Sequence, residues 1–357
     1  MDAAALRSEF PVLSSLAYLN AGTDGPVPAA AADAARAALD DELARGRWTP
    51  HFEARQANNG RLRDAYARML GADPADVALA TGTSEGIGMV LAGMDLGPGD
   101  EIITSDQEHP GLLGPLRAAR DRGAEVRVVA LRDVADAVRP RTRLVACSHV
   151  SWVGGEVAPA ALAELDVPVI LDGAQGAGAV PLDMAALGCA AYAAAGQKWL
   201  CGADGTGVLY LEPGFRAGLR AIAPSYMSFA GSPAGLDTPL KDEAARHDTP
   251  ALAREVVAFS LAAIETLESY GWAEVYARAA TLAADLAERL EQRGRVVAPR
   301  APTTLVSWEE ADPLATRAAL AEAGVIIRDL PGTSYLRASV GAWNDESDLE
   351  RLLDVLR

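Results

Sequence analysis

Apolar runs and amphipathic segments alternate through the first part of the chain. Short apolar runs predict buried strands, and segments with apolar residues three or four positions apart predict helices. The predicted strands of this part are 77–80, 101–104, 125–131, 144–147, 167–171 and 207–211, and the predicted helices between them include 83–91, 112–122 and 133–138. This βαβ order predicts an α/β fold with a mostly parallel sheet, helices on both faces, and ligands at the carboxyl ends of the strands.

Further elements flank this region on both sides. The pattern before it predicts helix 2–9, strand 17–20 and helices 29–46 and 53–70, and the pattern after it predicts helices 252–270, 273–292, 313–323 and 345–356 with strands 296–298, 304–308, 325–328 and 334–340. Gly, Pro and Ser are frequent in 213–240, which is typical of a connecting segment. We therefore predict a large domain over 15–245 and a smaller α+β domain formed by 1–14 and 246–357.

Composition and charge argue against several classes of protein. Half of the 357 residues are hydrophobic, and the formal charge of −17 argues against nucleic acid or an anionic membrane as partner. The three cysteines have no paired spacing, the four histidines have no metal-ligand spacing, and the N-terminus has no apolar signal segment. We expect a folded cytoplasmic protein without a structural metal.

One lysine is conspicuous because the chain uses arginine almost everywhere else. Of 32 basic residues, only Lys198 and Lys241 are lysines. An amine can lose its proton and form a Schiff base with a carbonyl group, whereas a guanidinium stays protonated. Lys198 follows the apolar run 189–195 and precedes a glycine-rich turn, which favours an inward-facing nucleophile over an ordinary surface lysine.

Other candidate groups stand at the carboxyl ends of predicted strands. The segment Thr81-Gly82-Thr83-Ser84 joins strand 77–80 to a helix, a geometry that presents backbone N–H groups and hydroxyls to a phosphate. Ordinary capping of the helix by Thr83 or Ser84 is the alternative. Asp172 follows strand 167–171 and could bind a protonated ring nitrogen, although Asp-Gly is also a common turn pair.

Together, these motifs resemble the class V aminotransferase and cysteine desulfurase group of pyridoxal phosphate enzymes, which have fold type I. The motifs that carry the resemblance are Asp172-Gly173-Ala174-Gln175, Gly196-Gln197-Lys198-Trp199 and Gly205-Thr206-Gly207, and the likeness extends from residue 18 to residue 339. The resemblance implies a seven-stranded, mostly parallel sheet with a smaller C-terminal domain. It also implies pyridoxal 5′-phosphate as cofactor, a small amino acid as substrate, and a homodimer with a shared active site.

The resemblance also implies roles for individual residues. Lys198 is similar to the lysine that forms the Schiff base and then transfers protons, Asp172 to the partner of the pyridinium nitrogen, and His109 to the residue that stacks on the ring. Gln175 resembles the group that binds the phenolic oxygen of the ring. The residues implied at the phosphate are Thr83, Ser84, Gln197 and, from the neighbouring subunit, Thr249, and those implied at the substrate are Asn20 and Arg337, whose guanidinium suits a carboxylate.

The chain departs from the family pattern at two places. Cysteine desulfurases of this group carry a reactive cysteine shortly before the carboxylate-binding arginine, whereas segment 328–336 has no cysteine and is short. Cys201 would serve as a thiol only if it were exposed, and a packing role is favoured. Trp152 stands where many relatives have an asparagine that helps to hold the substrate. We expect carbon–sulfur cleavage, epimerisation or transamination, with a preference for the isopenicillin N epimerase-like and carbon–sulfur lyase-like branch.

Two other functions are compatible with parts of the sequence. Residues 81–88 match the TGxxxGxG turn of short-chain dehydrogenases, which bind NADP. That turn does not follow the first strand, however, and Tyr192 lies six residues before Lys198, where a YxxxK pair needs four. A binding protein that kept the fold and lost catalysis is the second alternative. The joint presence of Lys198, Asp172 and Arg337 argues against it.

Overall fold

The computed structural model describes residues 1–232 and 235–356. The helices in this part of the chain are α1 (Ala3–Ser8), α2 (Ala29–Arg45), α3 (Thr49–Leu70), α4 (Thr83–Gly93), α5 (Pro110–Asp121), α6 (Met184–Leu187), α7 (Pro213–Gly218), α8 (Arg254–Ser269), α9 (Trp272–Gln292), α10 (Pro313–Glu322) and α11 (Glu346–Val355). The strands are β1 (Ala17–Tyr18), β2 (Val77–Ala80), β3 (Glu101–Ser105), β4 (Glu125–Val129), β5 (Thr142–Ser148), β6 (Val169–Asp172), β7 (Ala191–Ala195), β8 (Gly207–Leu211), β9 (Leu305–Glu309), β10 (Val325–Ile326), β11 (Arg328–Asp329) and β12 (Tyr335–Ser339).

The central sheet has seven strands in the order β2-β8-β7-β6-β5-β3-β4. All of them run parallel except β8, which is antiparallel to both of its neighbours. Alternate residues enter different apolar cores: Ile170 packs with α4 and α5 on one face, and Leu171 packs with α3 and α8 on the other. This alternation explains the continuous apolar strands. The predicted fold class, a mostly parallel seven-stranded sheet covered on both faces, is confirmed.

Some predicted elements differ from the structure. Residues 133–138 were predicted as a helix, but the chain forms a 3₁₀ turn at Leu131–Asp133 followed by turns. The segment is too short to propagate a helix, and Pro140 follows closely. The predicted strand 325–328 is divided into β10 and β11, because the chain changes its partner from β1 to β12 at this point. Strand 296–298 is reduced to a single bridge at Val297.

A second core lies in the C-terminal part of the chain. There, β11, β12 and β9 form an antiparallel sheet, and β1 from the N-terminal segment pairs in parallel with β10. Apolar residues of α9, α10 and α11 pack against these strands. Residues 17–20 thus pair with strands near the carboxyl terminus. This N-terminal segment therefore connects the second core with the loops of the central sheet. The division into 15–245 and 1–14 with 246–357 stays a prediction.

Residues 1–232 and 235–356 contain neither a helix suited to span a membrane nor a cluster suited to bind a metal ion. No helix in these ranges combines the length and the apolarity that a bilayer crossing requires. Over the same residues, no group of three or more His, Cys, Asp or Glu side chains is arranged to bind a metal ion.

Candidate functional site

Asp172 is the last residue of β6 and lies between the ends of β5 and β7. It pairs in register with Ser148 on one side and Ala193 on the other, and it is buried. Its Oδ1 accepts a hydrogen bond of 2.9 Å from the backbone N–H of Ala174. Burial raises the pKa of this carboxyl, while the Lys198 charge and the hydrogen bond from Ala174 oppose the rise. A cationic ring nitrogen nearby would stabilise the ionised form.

Lys198 lies in the loop that follows β7, and this loop packs against the segment that follows β1. The N–H of Gly25 donates a hydrogen bond of 2.7 Å to the carbonyl oxygen of Gln197. A Cβ atom at Gly25 would lie 2.2 Å from the carbonyl oxygen of Lys198. Because only glycine permits this approach, the Gly-Pro turn after Asn20 is needed to bring the N-terminal segment to the lysine.

The electrostatic surroundings of Lys198 favour the neutral amine. Burial lowers the pKa of Lys198 to about 8, assisted by the charges of Arg337 and Arg328 and opposed by those of Asp172 and Asp24. The amine therefore loses its proton far more readily than a solvated lysine does. This is the property that a Schiff-base nucleophile and proton carrier requires.

A cavity of about 290 Å³ opens at the carboxyl end of the central sheet. Its lining brings together six of the predicted site residues: Thr83, Ser84, His109, Asp172, Gln197 and Lys198. Asp172 ends β6, and the other five residues belong to the connections after β2, β3 and β7, so the parallel strands bring all six to one edge, as expected for an α/β sheet.

One end of the cavity is suited to an anion. Helix α4 begins at Thr83 and directs its first backbone N–H groups towards this end. Thr83 Oγ1 and Gln197 Oε1 are both buried without a hydrogen-bond partner. A buried hydroxyl and amide normally find partners, and the two orientations of an amide allow it to donate or to accept. A phosphate at this helix terminus would satisfy both side chains.

His109 also lines the cavity, where it is the N-terminal cap of α5. Its Nδ1 accepts a hydrogen bond of 3.0 Å from the N–H of Gly111, which places the ring proton of a neutral imidazole on Nε2. Burial, together with the charges of Lys198, Arg328 and Arg337, lowers the pKa of His109 to about 4. The ring is therefore neutral at physiological pH and suited to stack on an aromatic ligand.

Gln175 does not line this cavity, although it follows Asp172 by three residues and is buried. Its Nε2 donates to the carbonyl oxygen of Gly22 over 2.8 Å, and its Oε1 accepts from the indole N–H of Trp199 over 3.0 Å. One N–H of the amide remains available for a further acceptor, because an amide nitrogen carries two hydrogens. Binding of a phenolic oxygen by Gln175 stays a prediction.

Arg337 is a fully buried cation without a carboxylate partner in the part of the chain that the structure describes. It is 0% exposed, and only its Nη1 forms a hydrogen bond, to the carbonyl oxygen of Trp152 over 2.7 Å. Its Nε and Nη2 have no partner. A Cβ atom at Gly22 would lie 2.9 Å from both Arg337 Nη2 and Gln175 Oε1, so a small residue keeps this space open. Burial, with a contribution from Arg328, lowers the pKa of Arg337 to about 9.

The remaining two predicted residues, like Gln175 and Arg337, lie outside the cavity lining. Asn20 forms a β-bridge with Ser339, two residues beyond Arg337, and its Oδ1 accepts a hydrogen bond of 2.8 Å from Thr23 Oγ1. Thr249 donates its backbone N–H to the carbonyl oxygen of Leu79 over 2.9 Å. This position is near the outer strand β2, and a contact of Thr249 with a phosphate in a second subunit stays a prediction.

Two charged residues near the site were not identified from the sequence. Arg328 stands directly opposite Arg337 in the β11–β12 pair, so both guanidinium groups project from the same face. The sequence did contain a signal for Arg328, namely two arginines on either side of the turn between these strands. Asp24 lies in the turn after Asn20, and its charge acts on Lys198. A lone aspartate in a Gly/Pro-rich turn gave no signal beyond the turn itself.

The dehydrogenase alternative does not fit the structure. The segment 81–88 follows β2, an outer strand of the sheet, and runs into α4. Tyr192 is fully buried within β7, and its hydroxyl lies 3.1 Å from His149 Nδ1. It therefore cannot form a catalytic pair with Lys198 at the ligand edge.

The combination of groups fits pyridoxal phosphate. A helix terminus with unsatisfied polar side chains suits its phosphate, the buried carboxyl of Asp172 suits its ring nitrogen, His109 offers a ring for stacking, and the Lys198 amine suits its aldehyde. One cavity holds all four groups, which argues for a single ligand.

Comparison with known proteins agrees with this fit. The family described as Aminotransferase class-V matches residues 18–352. An isopenicillin N epimerase of Amycolatopsis lactamdurans is 30% identical over 98% of this chain and 97% of its own length, and one of Streptomyces clavuligerus is 32% identical over 60% of this chain and 57% of its own length. A probable cysteine desulfurase of Pseudomonas aeruginosa is 30% identical over 97% of this chain and 95% of its own length.

A solved complex of the cystine C-S lyase C-DES with its product cysteine persulfide superposes with a TM-score of 0.90 at 27% identity, covering 97% of this chain and 98% of that chain. A C-DES mutant with glycine covalently linked to the pyridoxal phosphate cofactor gives a TM-score of 0.91 at 27% identity, covering 98% of each chain. The chain therefore belongs to the class V aminotransferase family of pyridoxal phosphate-dependent enzymes.

Proposed function

We propose that this enzyme cleaves a carbon–sulfur bond in an amino acid by β-elimination, with Lys198 as the proton carrier. The observation that carries the proposal is the buried, unpaired guanidinium of Arg337 in the same site as an amine of lowered pKa. A buried cation with free donors is costly unless a ligand anion completes it. A carboxylate is the matching bidentate partner, which fits an amino acid as the substrate.

Residues that line the cavity, together with Gln175 beside it, would hold different parts of the cofactor. Thr83, Ser84 and Gln197 would hold its phosphate, Asp172 its ring nitrogen, His109 the face of its ring, and Gln175 its phenolic oxygen. When bound, pyridoxal phosphate supplies an electron sink for the carbanion that forms beside the amino group.

Lys198 can carry out both proton transfers that the elimination requires. Lys198 takes the α-proton, the electron pair of the Cα–H bond forms the Cα–Cβ double bond, and the Cβ–S bond breaks with its electron pair on sulfur. The leaving sulfur then takes a proton, for which protonated Lys198 is the available donor. Water converts the unsaturated product into pyruvate and ammonia.

The cysteines of the chain support a reaction without a persulfide on the enzyme. Cys147, Cys189 and Cys201 are all buried. Burial raises the pKa of Cys189 to about 12, and it raises the pKa values of the Cys147 and Cys201 thiols well above their ordinary range. Cys201 is closest in sequence to Lys198, yet its Sγ lies 3.9 Å from the carbonyl oxygen of Trp199 within the packed core. A sulfur acceptor needs an accessible thiolate, which none of the three provides.

Epimerisation is the second candidate, because an isopenicillin N epimerase matches nearly the whole chain. An epimerase must return a proton to the opposite face of Cα, and the neutral His109 is a second titratable side chain, besides Lys198, that could carry a proton in the same cavity. Incubation of the enzyme with L-cystine and, separately, with amino acids that carry no leaving group separates the two reactions. Pyruvate release supports elimination. Racemisation in deuterated water without pyruvate supports epimerisation and overturns the elimination.

We also propose that the protein is a homodimer with a shared active site and that it is cytoplasmic. Four large apolar side chains at the corner between α2 and α3 are exposed: Leu39 (47%), Leu43 (87%), Trp48 (65%) and Phe52 (43%). Such a patch is typical of a covered surface. The three unpaired thiols fit a reducing compartment. Light scattering of the wild type and of Leu43→Glu tests the dimer: a dimeric mass that the variant lowers is expected, and a monomeric wild type contradicts it.

A further inference from the structure

A buried carboxyl group lies on the connection between β3 and α5. Glu108 directly precedes His109 and is 6% exposed. Burial raises the pKa of Glu108 to about 7, hydrogen bonds from Ser105 and Ser148 oppose the rise, and the charge of Asp172 adds to it. No cation of residues 1–232 and 235–356 forms an ion pair with Glu108. A buried carboxyl group without a cation is costly, so its presence at this position requires an explanation.

Hydrogen bonds tie Glu108 to the ends of two neighbouring strands. Ser105, the last residue of β3, donates its hydroxyl to Glu108 Oε1. Ser148, the last residue of β5, donates its backbone N–H to both carboxyl oxygens over 3.0 Å and its hydroxyl to Oε2 over 2.6 Å. Strands β3 and β5 are neighbours in the central sheet. The carboxyl group therefore joins the connection after β3 to the end of β5.

This link stands between two residues that line the cavity. Ser148 pairs in register with Asp172 at the end of β6. On the other side, His109 follows Glu108 in the chain, and its Nδ1 accepts the hydrogen bond from the N–H of Gly111. Asp172 and His109 both line the cavity, whereas Glu108 does not. Glu108 thus connects the residue proposed for the ring nitrogen of the cofactor with the residue proposed for the face of its ring.

The residue before Glu108 makes a separate attachment. Gln107 Oε1 accepts a hydrogen bond from the hydroxyl of Ser151, in the loop after β5. The same loop contains Trp152, whose ring contacts the His109 ring edge-on with the centroids 5.0 Å apart. Because these contacts do not involve the Glu108 side chain, the connection stays attached to the loop after β5 when Glu108 is replaced. Variants at this position should therefore fold.

Packing alone does not explain a carboxyl group at position 108. An apolar side chain of similar size would fill the same space without a buried charge, and such replacements are often neutral or stabilising. An apolar side chain cannot supply directional bonds to Ser105 and Ser148, however. These bonds can be kept in both protonation states of Glu108, because a serine hydroxyl can donate or accept a hydrogen bond. The directional bonds are therefore the property that distinguishes Glu108 from an apolar residue.

We propose that Glu108 is a positioning residue, which sets the His109 ring against the cofactor by holding the connection after β3 to the strand end beside Asp172. The inference rests on the proposed function, because it takes His109 to face the cofactor ring and Asp172 to bind the ring nitrogen. Glu108 does not line the cavity, so it acts through His109 and not on the reacting atoms.

Two substitutions separate positioning from packing. Glu108→Met keeps the approximate size and removes the hydrogen bonds. Glu108→Gln keeps them, since the amide can accept from Ser148 through its oxygen and donate to Ser105 through its nitrogen. Circular dichroism of the visible cofactor band, divided by its absorbance, reports how the holoenzyme holds the ring, and urea titration reports stability. Glu101→Gln is the matched control, because it alters a buried carboxylate at the other end of β3.

Glu108→Met should reduce the dichroism of the cofactor band and lower kcat by about tenfold to 10²-fold, with a smaller change in KM, because the ring is misplaced. Its urea midpoint should stay or rise. Glu108→Gln should restore both the dichroism and kcat, whereas Glu101→Gln should lower the urea midpoint and leave the dichroism unchanged. Wild-type dichroism and kcat in Glu108→Met would overturn the inference. A glutamine variant that behaves like the methionine variant would also overturn it, since the negative charge would then be the required property.

A double variant shows whether Glu108 acts through His109. In a His109→Ala background, Glu108→Met should cause no further loss of dichroism or kcat, because residues that act as a unit have non-additive effects. An undiminished effect of Glu108→Met in that background would overturn the positioning role while leaving the elimination intact. If the dichroism follows the expected pattern but no variant and no wild-type protein releases pyruvate from cystine, the positioning role stands and the proposed elimination is rejected.

Discussion

A buried charged side chain lies at the amino end of the central sheet, and another, Arg337 of β12 in the second sheet, lies near the site at its carboxyl end. Only the first of the two has its hydrogen bonds completed within the protein. At the amino end, Glu101 is fully buried and accepts hydrogen bonds from Thr142 (2.7 Å) and from Arg139 and Arg141. Burial alone would raise the pKa of Glu101, but the bonds from Arg139 and Thr142 and the charge of Arg127 outweigh it, so the pKa is lowered. At the carboxyl-end site, Arg337 is equally buried, and two of its donors have no partner.

This difference separates a structural charge from a binding charge. A buried ion whose hydrogen bonds are complete within the protein stabilises the fold around it. A buried ion with free donors is held in place by the surrounding fold and gains its partner only when a ligand arrives. Glu101 therefore belongs to the scaffold and Arg337 to the site. The same criterion selects Thr83 and Gln197 at the end of the cavity where α4 begins, the end that we propose for the phosphate.

The largest expected effect is at the nucleophile. Lys198→Ala should abolish the visible absorbance of the bound cofactor, and loss of proton transfer alone should lower turnover by about 10²-fold to 10⁴-fold. The other lysine provides a matched control, since Lys241→Arg should keep both properties. Spectra and pyruvate assays of the two purified variants check this. A Lys198→Ala protein with the wild-type spectrum would contradict the assignment.

Arg337→Gln should lower kcat/KM strongly without lowering the free energy of unfolding. Removal of a charged partner from a buried carboxylate should lower kcat/KM by roughly 10²-fold to 10³-fold, mainly through weaker substrate binding. The free energy of unfolding should not fall, because the variant removes a buried charge that the protein does not neutralise. Steady-state kinetics and urea titration of the same preparation measure both quantities. A large loss of stability would place Arg337 with the scaffold.

Glu101→Gln should show the opposite pattern. Loss of the buried carboxylate leaves Arg139 and Arg141 with a weaker partner, so the free energy of unfolding should fall by about 1–3 kcal/mol. The values of kcat and KM of the folded enzyme should stay near those of the wild type, since this cluster lies at the amino end of the sheet. A marked change in KM without a change in stability would break the distinction between the two ends.

The pH dependence of Lys198 acylation tests whether the amine is buried beside the charge of Arg337. With a pKa lowered from 10.5 to about 8, the amine should be acylated faster as pH rises through about 8 and should reach a plateau above that range. Arg337→Gln removes a cation that lowers this pKa, so the midpoint should move to higher pH. The measurement is the rate at which the peptide that contains Lys198 is acylated in cofactor-free Lys241→Arg protein, read by mass spectrometry so that acylation of the N-terminal amine does not contribute. A midpoint near 10.5 would contradict the burial of the amine.

The smallest effect is expected at Cys201. Its thiol is buried and packed, so Cys201→Ala should change pyruvate release by less than about twofold, within the range of an ordinary substitution near a site. Transfer of labelled sulfur from cystine onto the protein should be undetectable by mass spectrometry in the wild type. A persulfide on Cys201 would contradict the proposed reaction and favour a desulfurase.

The sequence predicted the elements of the sheet well because each parallel strand is a continuous apolar run bounded by turn residues. Residues 207–211 match β8, and 77–80 match β2. The break between β10 and β11 could not be predicted, since a change of strand partner leaves no mark in local periodicity. The predicted helix 133–138 was wrong, because its helical pattern is weak and the segment is too short to propagate a helix.

The same limits apply to the site. Lys198, Asp172 and Thr83 follow strands, so their meeting at one edge followed from the sheet topology. Arg328 and Asp24 come from a hairpin and a turn, and only the register of β11 with β12 and the packing of Gly25 against Lys198 bring them there. Such tertiary contacts depend on close approaches that no local pattern encodes.

The central claim is that Lys198 carries the cofactor, and borohydride reduction followed by peptide mapping tests it most directly. Reduction of the holoenzyme fixes the carbon–nitrogen bond between amine and cofactor, and the chain has only two lysines to distinguish. The account predicts a phosphopyridoxyl group on the peptide that contains Lys198 and none on the peptide that contains Lys241. A label on Lys241, or no label on either lysine, would contradict it.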